Sequence, residues 1–387
     1  MRALHLLKTS VGASWALRQI RELVQLGVDV HVALPDGGPF VGRYAAIGAT
    51  EHVMQTDFPV LAPWTFPGLA KSLCQLVQQV KPDIIHSHFV GTTLTMRLAL
   101  GRNHRIPRVF QVPGPLHLEH LFFRTAEIAT AGKADYWIGS CRWTCDRYRA
   151  SGIAGERIFL SYYGVDLADF KVRRGGKLRK ELGLNAKTKV VGMVAFMYAP
   201  KRYLGQQRGL KGHEDLVDAM QICLRHLPDM VCIIIGGAWN NAVAYERRVR
   251  KYAAKKCADR IIFLGTRQDV PELYPDFDVA VHPSLSENVG GAVESLLNAV
   301  PTIATHVGGF PDLVRQGVTG WLVPPGNPMR LANTILTVLK DPVHAKALAT
   351  RGQAHAMLLF DVKRCAGEIV DIYRTILNRN HHTRSFG

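Results

Sequence analysis

His282-Pro-Ser-Leu-Ser-Glu-Asn-Val-Gly-Gly-Ala-Val-Glu294 runs on through Val300-Pro-Thr-Ile-Ala-Thr305 to Gly308-Gly-Phe-Pro-Asp312. An apolar strand precedes this stretch and an apolar helix follows its second acid. Two carboxylates, Glu287 and Glu294, stand seven residues apart with Gly290 and Gly291 between them. Seven residues is about two helical turns, so the spacing predicts that both acids face one side. The Gly-Gly pair is placed to open the helix, where backbone N–H groups without intrahelical partners attract a phosphate. A phosphate site beside two hydroxyl-accepting carboxylates is what a sugar nucleotide requires.

Outward from this stretch, short apolar runs alternate with amphipathic helices. Residues 2–7 read as the first strand, and Ala13, Ala16, Leu17, Ile20, Leu23 and Val24 recur at helical spacing up to Gly27. Residues 28–34, 83–88, 108–112, 136–140 and 157–162 continue the strand pattern. The charged stretch 171–187 has linker character. A second set follows, with strands at 189–195, 230–236, 260–264, 278–282, 302–304 and 320–323 and helices near 212–226 and 242–257. Residues 361–378 form an amphipathic helix with Val362, Cys365, Ile369, Ile372, Tyr373 and Ile376 on one face, and 379–387 is expected to be disordered. This alternation predicts an α/β protein of parallel sheets covered by helices.

The stretch quoted first resembles the donor-site signature of retaining glycosyltransferases of family 4, which have the GT-B fold. The pattern there is Pro-Ser-x-x-Glu, a Gly-rich turn, and a second Glu opening an apolar helix that ends in Gly-Val-Pro. The family has seven residues between its glutamates and this chain has six; Asn298-Ala-Val-Pro301 replaces the commoner ending. The missing residue lies in the turn, so Glu294 carries over more directly than Glu287. Gly164-Val-Asp-Leu-Ala-Asp-Phe170 resembles the element that closes the family's first domain. The resemblance implies two Rossmann-like parallel-sheet domains facing a cleft. Residues 1–170 would be the acceptor-side domain and 171–360 the nucleotide-sugar domain. Residues 361–387 would be a helix crossing back to the first domain, plus a flexible tail. It also implies transfer, with retention and without a metal, from a UDP-hexose donor to a hydroxyl of a glycan or lipid-linked acceptor.

Such transfer builds negative charge on a departing diphosphate, which the enzyme must stabilise. Lys211, in Gly209-Leu-Lys-Gly-His-Glu214, matches the family's Lys-Gly. A second family cation, an arginine after the glycine of the preceding strand, is missing, because that position reads Gly192-Met193. Lys201, Arg202 and Arg208 lie in an insertion-like segment, and Arg202 is the chosen substitute. The resemblance assigns the ribose hydroxyls to Glu294 and the sugar hydroxyls to Glu287, with Gly290, Gly291 and Gly12 allowing close backbone approach. His117, in Pro113-Gly-Pro-Leu-His-Leu-Glu-His120, follows a strand at its carboxyl end, where open α/β sheets bind ligands. It is placed like the family's active-site histidine, with His88 and His120 as rivals. Asp276-Phe-Asp278 mimics a metal-binding Asp-x-Asp but directly precedes an apolar strand, so no metal is expected there. His213-Glu214 starts like a zinc-protease helix but has Val217 where the second histidine belongs.

Composition narrows the remaining choices. At 387 residues the chain exceeds a single core, and no run reaches membrane-spanning length. The first residues read as a buried strand and lack the features of a signal peptide. Seven scattered cysteines complete no zinc site and read as reduced thiols of a cytoplasmic protein. The net charge of +17 concentrates in 171–180, 201–211, 247–256 and 379–384. With none of the usual nucleic-acid modules present, an anionic membrane surface is the expected partner and nucleic acid is not. A dinucleotide-dependent oxidoreductase would need Gly-x-Gly-x-x-Gly after the first strand, and the turn at 8–13 has one glycine. Two further alternatives are a sugar-nucleotide epimerase of the same fold and a non-catalytic basic protein. The first lacks the Lys-Gly and Glu…Glu tandem, and the second leaves the spaced carboxylates unexplained.

Overall fold

The computed structural model describes residues 1–112, 114, 116–170, 175–202 and 205–385, without the side chains of 116 and 380–385. The chain forms two compact units, Met1–Asp166 with Leu359–Gly387, and Leu167–Leu358.

The first unit carries β1 (Arg2–Leu6), β2 (Asp29–Leu34), β3 (Thr50–Val53), β4 (Ile84–Ser87), β5 (Arg108–Val112), β6 (Asp135–Gly139) and β7 (Ile158–Leu160). They pair in the order β3-β2-β1-β4-β5-β6-β7, every pair parallel. The second unit carries β8 (Val190–Val194), β9 (Val231–Ile235), β10 (Ile261–Gly265), β11 (Val279–His282), β12 (Thr302–Thr305) and β13 (Trp321–Val323). Their order is β10-β9-β8-β11-β12-β13, again all parallel. Both sheets therefore use the doubly wound order, reversing direction between β1 and β4 and between β8 and β11. Central strands such as Val231-Cys-Ile-Ile-Ile235 are buried throughout, because helices cover both faces. The GT-B fold expected from the sequence is the one observed.

Three expectations need correction. The sequence gives no sign of β3, Thr-Glu-His-Val, because a short, half-exposed edge strand carries no apolar signal. The last helix runs Val362–Ser385, well past residue 378, because neither glycine nor proline stands between 378 and 385 to stop it. The helix after the Gly-Gly pair is only Ala292–Leu297, so Glu287 precedes it in a turn and helical spacing does not align the two acids.

The last helix buries Ala366, Ile369, Val370, Tyr373 and Ile376 in the core of the first unit. The entry into it is fixed at Gly164, where a Cβ would stand 2.6 Å from Val362 Cα. Val165 N–H then donates to Phe360 O (2.7 Å), and Val362 N–H to Val165 O (3.2 Å).

Candidate active site

The carboxyl ends of β8, β9, β10 and β11 surround a cavity of about 360 Å³ at the point where the second sheet reverses order. Lys211, Glu287, Gly291 and Glu294 all line it.

Lys211 stands one residue before Gly212, whose φ is +72° and whose Cβ would sit 2.0 Å from Pro283 O. Only glycine lets this loop lie against the end of β11, and Leu285 N–H bonds to Leu210 O (2.8 Å) across the join. The lysine is thereby carried onto Glu287, and its ammonium pairs with the Glu287 carboxylate. The same ammonium lies 5.7 Å from the Tyr198 ring centroid. Glu287 is steadied by Asn288 N–H (3.1 Å) and by Ser284 Oγ (3.5 Å). A Cβ on Gly290, at φ +35°, would meet that carboxylate at 2.8 Å. Turn geometry thus brings the first acid to the cavity that the second acid faces from its helix.

Glu294 sits in the first turn of Ala292–Leu297, where Tyr274 donates to Oε2 at 3.4 Å. Burial and this carboxylate together push the Tyr274 phenol well above its ordinary range, so it stays a neutral donor. His282 lies buried beneath the site. Its Nε2 lies 2.9 Å from Ser295 Oγ, which in turn is within hydrogen-bond reach of Thr302 Oγ1 (3.0 Å) and Ala292 O (3.1 Å). Burial, with Lys211 adding repulsion, lowers the His282 pKa to about 3, and the ring is neutral.

Arg202 is exposed and does not line the cavity; its neighbours 203 and 204 lie outside the described residues. Arg208 is held by Asp215 and by Asp218 at 2.9 Å. Met193 is buried at the end of β8 and lines the cavity together with Phe196 beyond the strand. Phe196, Tyr198, Thr266, Gln268 and His282 line the site without having been singled out.

The other candidates belong to the first unit. Gly12 adopts φ +83° in the turn before helix Ser14–Gln25. His117 points Nε2 at the Tyr148 hydroxyl (3.1 Å) and packs at a tilt 5.5 Å from Phe110, and burial lowers its pKa to about 4. The flanking positions 113 and 115 lie outside the described residues. His88 is buried among His5 and His86, its Nε2 3.0 Å from His5 Nδ1 and its Nδ1 3.3 Å from the Tyr163 hydroxyl. His120 packs 5.1 Å from Phe123, and its Nδ1 has no hydrogen-bond partner among the described residues.

Neither decoy reaches the cavity. Asp276 accepts Leu178 N–H (2.7 Å) and Asp278 accepts Val190 N–H (2.8 Å), both at the opposite end of β11. His213 is buried, and Glu214 accepts from the Tyr245 hydroxyl at 2.8 Å.

Comparison with known proteins gives the family. A family model described as "Glycosyl transferases group 1" matches residues 202–355, and one described as "Glycosyltransferase Family 4" matches residues 12–169. The chain belongs to glycosyltransferase family 4 and is an enzyme of the glycosyltransferase type. It is 28% identical to a D-inositol 3-phosphate glycosyltransferase of Thermobispora bispora, covering 95% of this chain and 90% of that one. It is 29% identical to the lipopolysaccharide core biosynthesis mannosyltransferase LpsB of Rhizobium meliloti over 51% of this chain, spanning 55% of that protein's length. Among solved structures, Anabaena Alr3699/HepE in complex with UDP superposes with TM-score 0.80 at 24% identity, covering 97% of this chain and all (100%) of that one.

Proposed function

We propose that the enzyme transfers a hexose from a UDP-linked donor to a hydroxyl of a glycan or lipid-linked acceptor, with retention and without a metal. The observation that carries this reading is the convergence of Lys211, Glu287 and Glu294 on one cavity at the strand ends. A diphosphate would take the place of Glu287 beside the Lys211 ammonium. Lys211 would then stabilise the charge that grows there as the glycosidic bond breaks. Glu287 would turn to the sugar hydroxyls, and Glu294 would accept from the ribose. Gly290 and Gly291 leave room for the donor backbone. Structures of the neighbour Alr3699/HepE hold UDP and UDP-glucose, which favours uridine as the base.

His117 would join the sugar contacts only by exchanging its bond to Tyr148, and Arg202 only by turning in from the surface. Among the described residues no helix is long and apolar enough to cross a membrane. Leu121 and Phe122, 68% and 69% exposed, stand beside Arg124, which supports a peripheral contact with an anionic membrane, in keeping with a cytoplasmic polysaccharide-building enzyme.

The test is release of nucleoside diphosphate from UDP-, GDP- and ADP-sugars with chelator present, comparing wild type with Lys211→Ala. Release from one donor, lost in the variant, is expected. No release from any donor, together with no rise in melting temperature on adding them, would overturn the reading.

A further inference from the structure

Helix Val243–Cys257 of the second unit carries the basic run 247–256, and the donor cavity uses none of it. Its inner row, Tyr245, Val249, Ala253 and Cys257, is buried in the core of that unit. An offset of two residues is about 200° around an α-helix, so the row Val243, Arg247, Lys251 and Lys255 lies on nearly the opposite side. All four of these residues are exposed. Steps of four residues set the three cations about 6 Å apart along the axis.

Among the described residues, Arg247, Lys251 and Lys255 have no ion pair and no hydrogen-bonded side chain. The acids that could answer them are turned elsewhere. Glu246, on the same helix, accepts Ala238 N–H (2.7 Å) and the Arg250 guanidinium (2.7 Å). On helix His213–Cys223, which packs against it, Glu214 accepts the Tyr245 hydroxyl and Asp215 holds Arg208. Asp218 accepts the Tyr252 hydroxyl and the Lys256 ammonium, each at 2.6 Å. Like charges four residues apart repel along a helix, so Arg247–Lys251 and Lys251–Lys255 each lower its stability. Such a row is complementary to an anionic surface outside the protein.

The head of the row narrows what that surface is. Val243 is 49% exposed, and Trp239, just before the helix, is 38% exposed where it packs 5.0 Å from Phe196 at the rim of the donor cavity. A bilayer interface takes up aliphatic and indole side chains while its anionic headgroups meet the cations beside them. A nucleic acid would engage the cations and leave Val243 in water.

We propose that the outer face of helix Val243–Cys257 is an electrostatic docking surface for an anionic lipid bilayer, with Arg247, Lys251 and Lys255 on the headgroups and Val243 at the lipid boundary. The assignment rests on the membrane part of the proposed function and deepens it, because the contact at Leu121 and Phe122 belongs to the first unit and this one to the second. Attachment through this face is set by lipid charge and screened by salt.

The experiment is co-sedimentation of the full chain with vesicles of phosphatidylcholine alone and of phosphatidylcholine mixed with phosphatidylglycerol, at low and at physiological salt. It compares wild type with Arg247→Gln/Lys251→Gln/Lys255→Gln and with Leu121→Ser/Phe122→Ser. Wild type is expected to bind the mixed vesicles, to be released by salt, and to leave pure phosphatidylcholine unbound. The triple variant should partition about 10²-fold less, roughly fivefold for each cation. Its melting temperature should equal or exceed that of wild type, since repelling charges are gone, which also shows that it folds. The Leu121→Ser/Phe122→Ser protein should keep the salt-sensitive part of binding, and full binding by it would remove only the contact in the first unit. Equal binding by the triple variant and wild type, or equal binding of wild type to both vesicles, would overturn the docking surface. A lower melting temperature in the triple variant would give the row a partner inside the protein and overturn it as well. Tighter retention of wild type on duplex DNA than on the mixed vesicles, lost in the triple variant, would assign the row to nucleic acid. No binding of wild type to any vesicle would overturn this surface and the contact at Leu121 and Phe122 together, while the donor reading, tested by release of nucleoside diphosphate, would stand.

Discussion

The two units repeat one strand order but treat its reversal point in opposite ways. In the second unit the ends of β8 and β11 border an open cavity with a lysine, two glutamates and a neutral histidine floor. In the first unit the corresponding strands β1 and β4 pair His5 with His86 in register, and His88 follows. All three imidazoles are fully buried, stacked at 4.3–5.2 Å, with the Tyr163 and Tyr373 hydroxyls on their outer nitrogens. Trp15 closes over them, 4.2 Å from Tyr163. One crevice is left as a cavity and the other is filled by the protein's own rings. The fold sets where a ligand can bind, and the side chains at the strand ends decide whether one does.

The strongest way to break this contrast is Lys211→Ala. Donor turnover should fall about 10²–10³-fold, as for removal of one transition-state charge partner, with a smaller loss of nucleotide binding. A variant retaining most of its turnover would mean that another group carries the diphosphate. Next is Gly212→Ala, whose Cβ would meet Pro283 O at 2.0 Å. It should lower the melting temperature by several degrees and displace Lys211, costing on the order of 2–3 kcal/mol. Equal melting curves would show that the loop does not need this close approach. Glu294→Gln should raise the Kd for the nucleotide about tenfold by calorimetry, the value of one or two charged hydrogen bonds.

Acidification sharpens the comparison between units. Burial lowers His5 and His282 to about 3, so between their ordinary value and about 3 the unfolded chain binds more protons than the folded one. Stability from these groups is complete above about pH 6.5 and is lost as pH falls toward 3. His5→Asn should flatten that slope as much as His282→Asn, and a slope unchanged by both would show that neither ring stays neutral in the fold. The smallest effect is expected from Tyr373→Phe, which removes the hydroxyl shared by His86 and His5. It should cost about 1–3 kcal/mol of stability by denaturant titration and leave kcat unchanged. A change in kcat exceeding the change in stability would make the first crevice part of the chemistry.

Much of the fold could be read from the chain because buried parallel strands are continuous apolar runs, as in residues 231–235. What escaped detection was either polar and at an edge, as in β3, or a matter of helix length, as at Ala292 and Ser385. Lys211 and the two glutamates stood out through residue type and spacing, although a turn rather than a helix aligns the acids. The aromatic rim did not stand out, since Phe196 and Trp239 lie more than forty residues apart and meet only through the Met197 bridge. His282 went unassigned because its neutrality comes from burial, which no local pattern encodes.

The Lys211–Glu287 pair also bears on which anions the site would refuse. A lysine already holding its own counter-ion presents almost no net charge to solution. A lone phosphate must break that pair and leave a carboxylate stranded beside it. A sugar nucleotide, the proposed donor, would supply an anion for the lysine and hydroxyls for the acid in the same event. On the proposed reading the ion pair would act as a two-key lock, closed to inorganic anions and opened by a molecule carrying both keys.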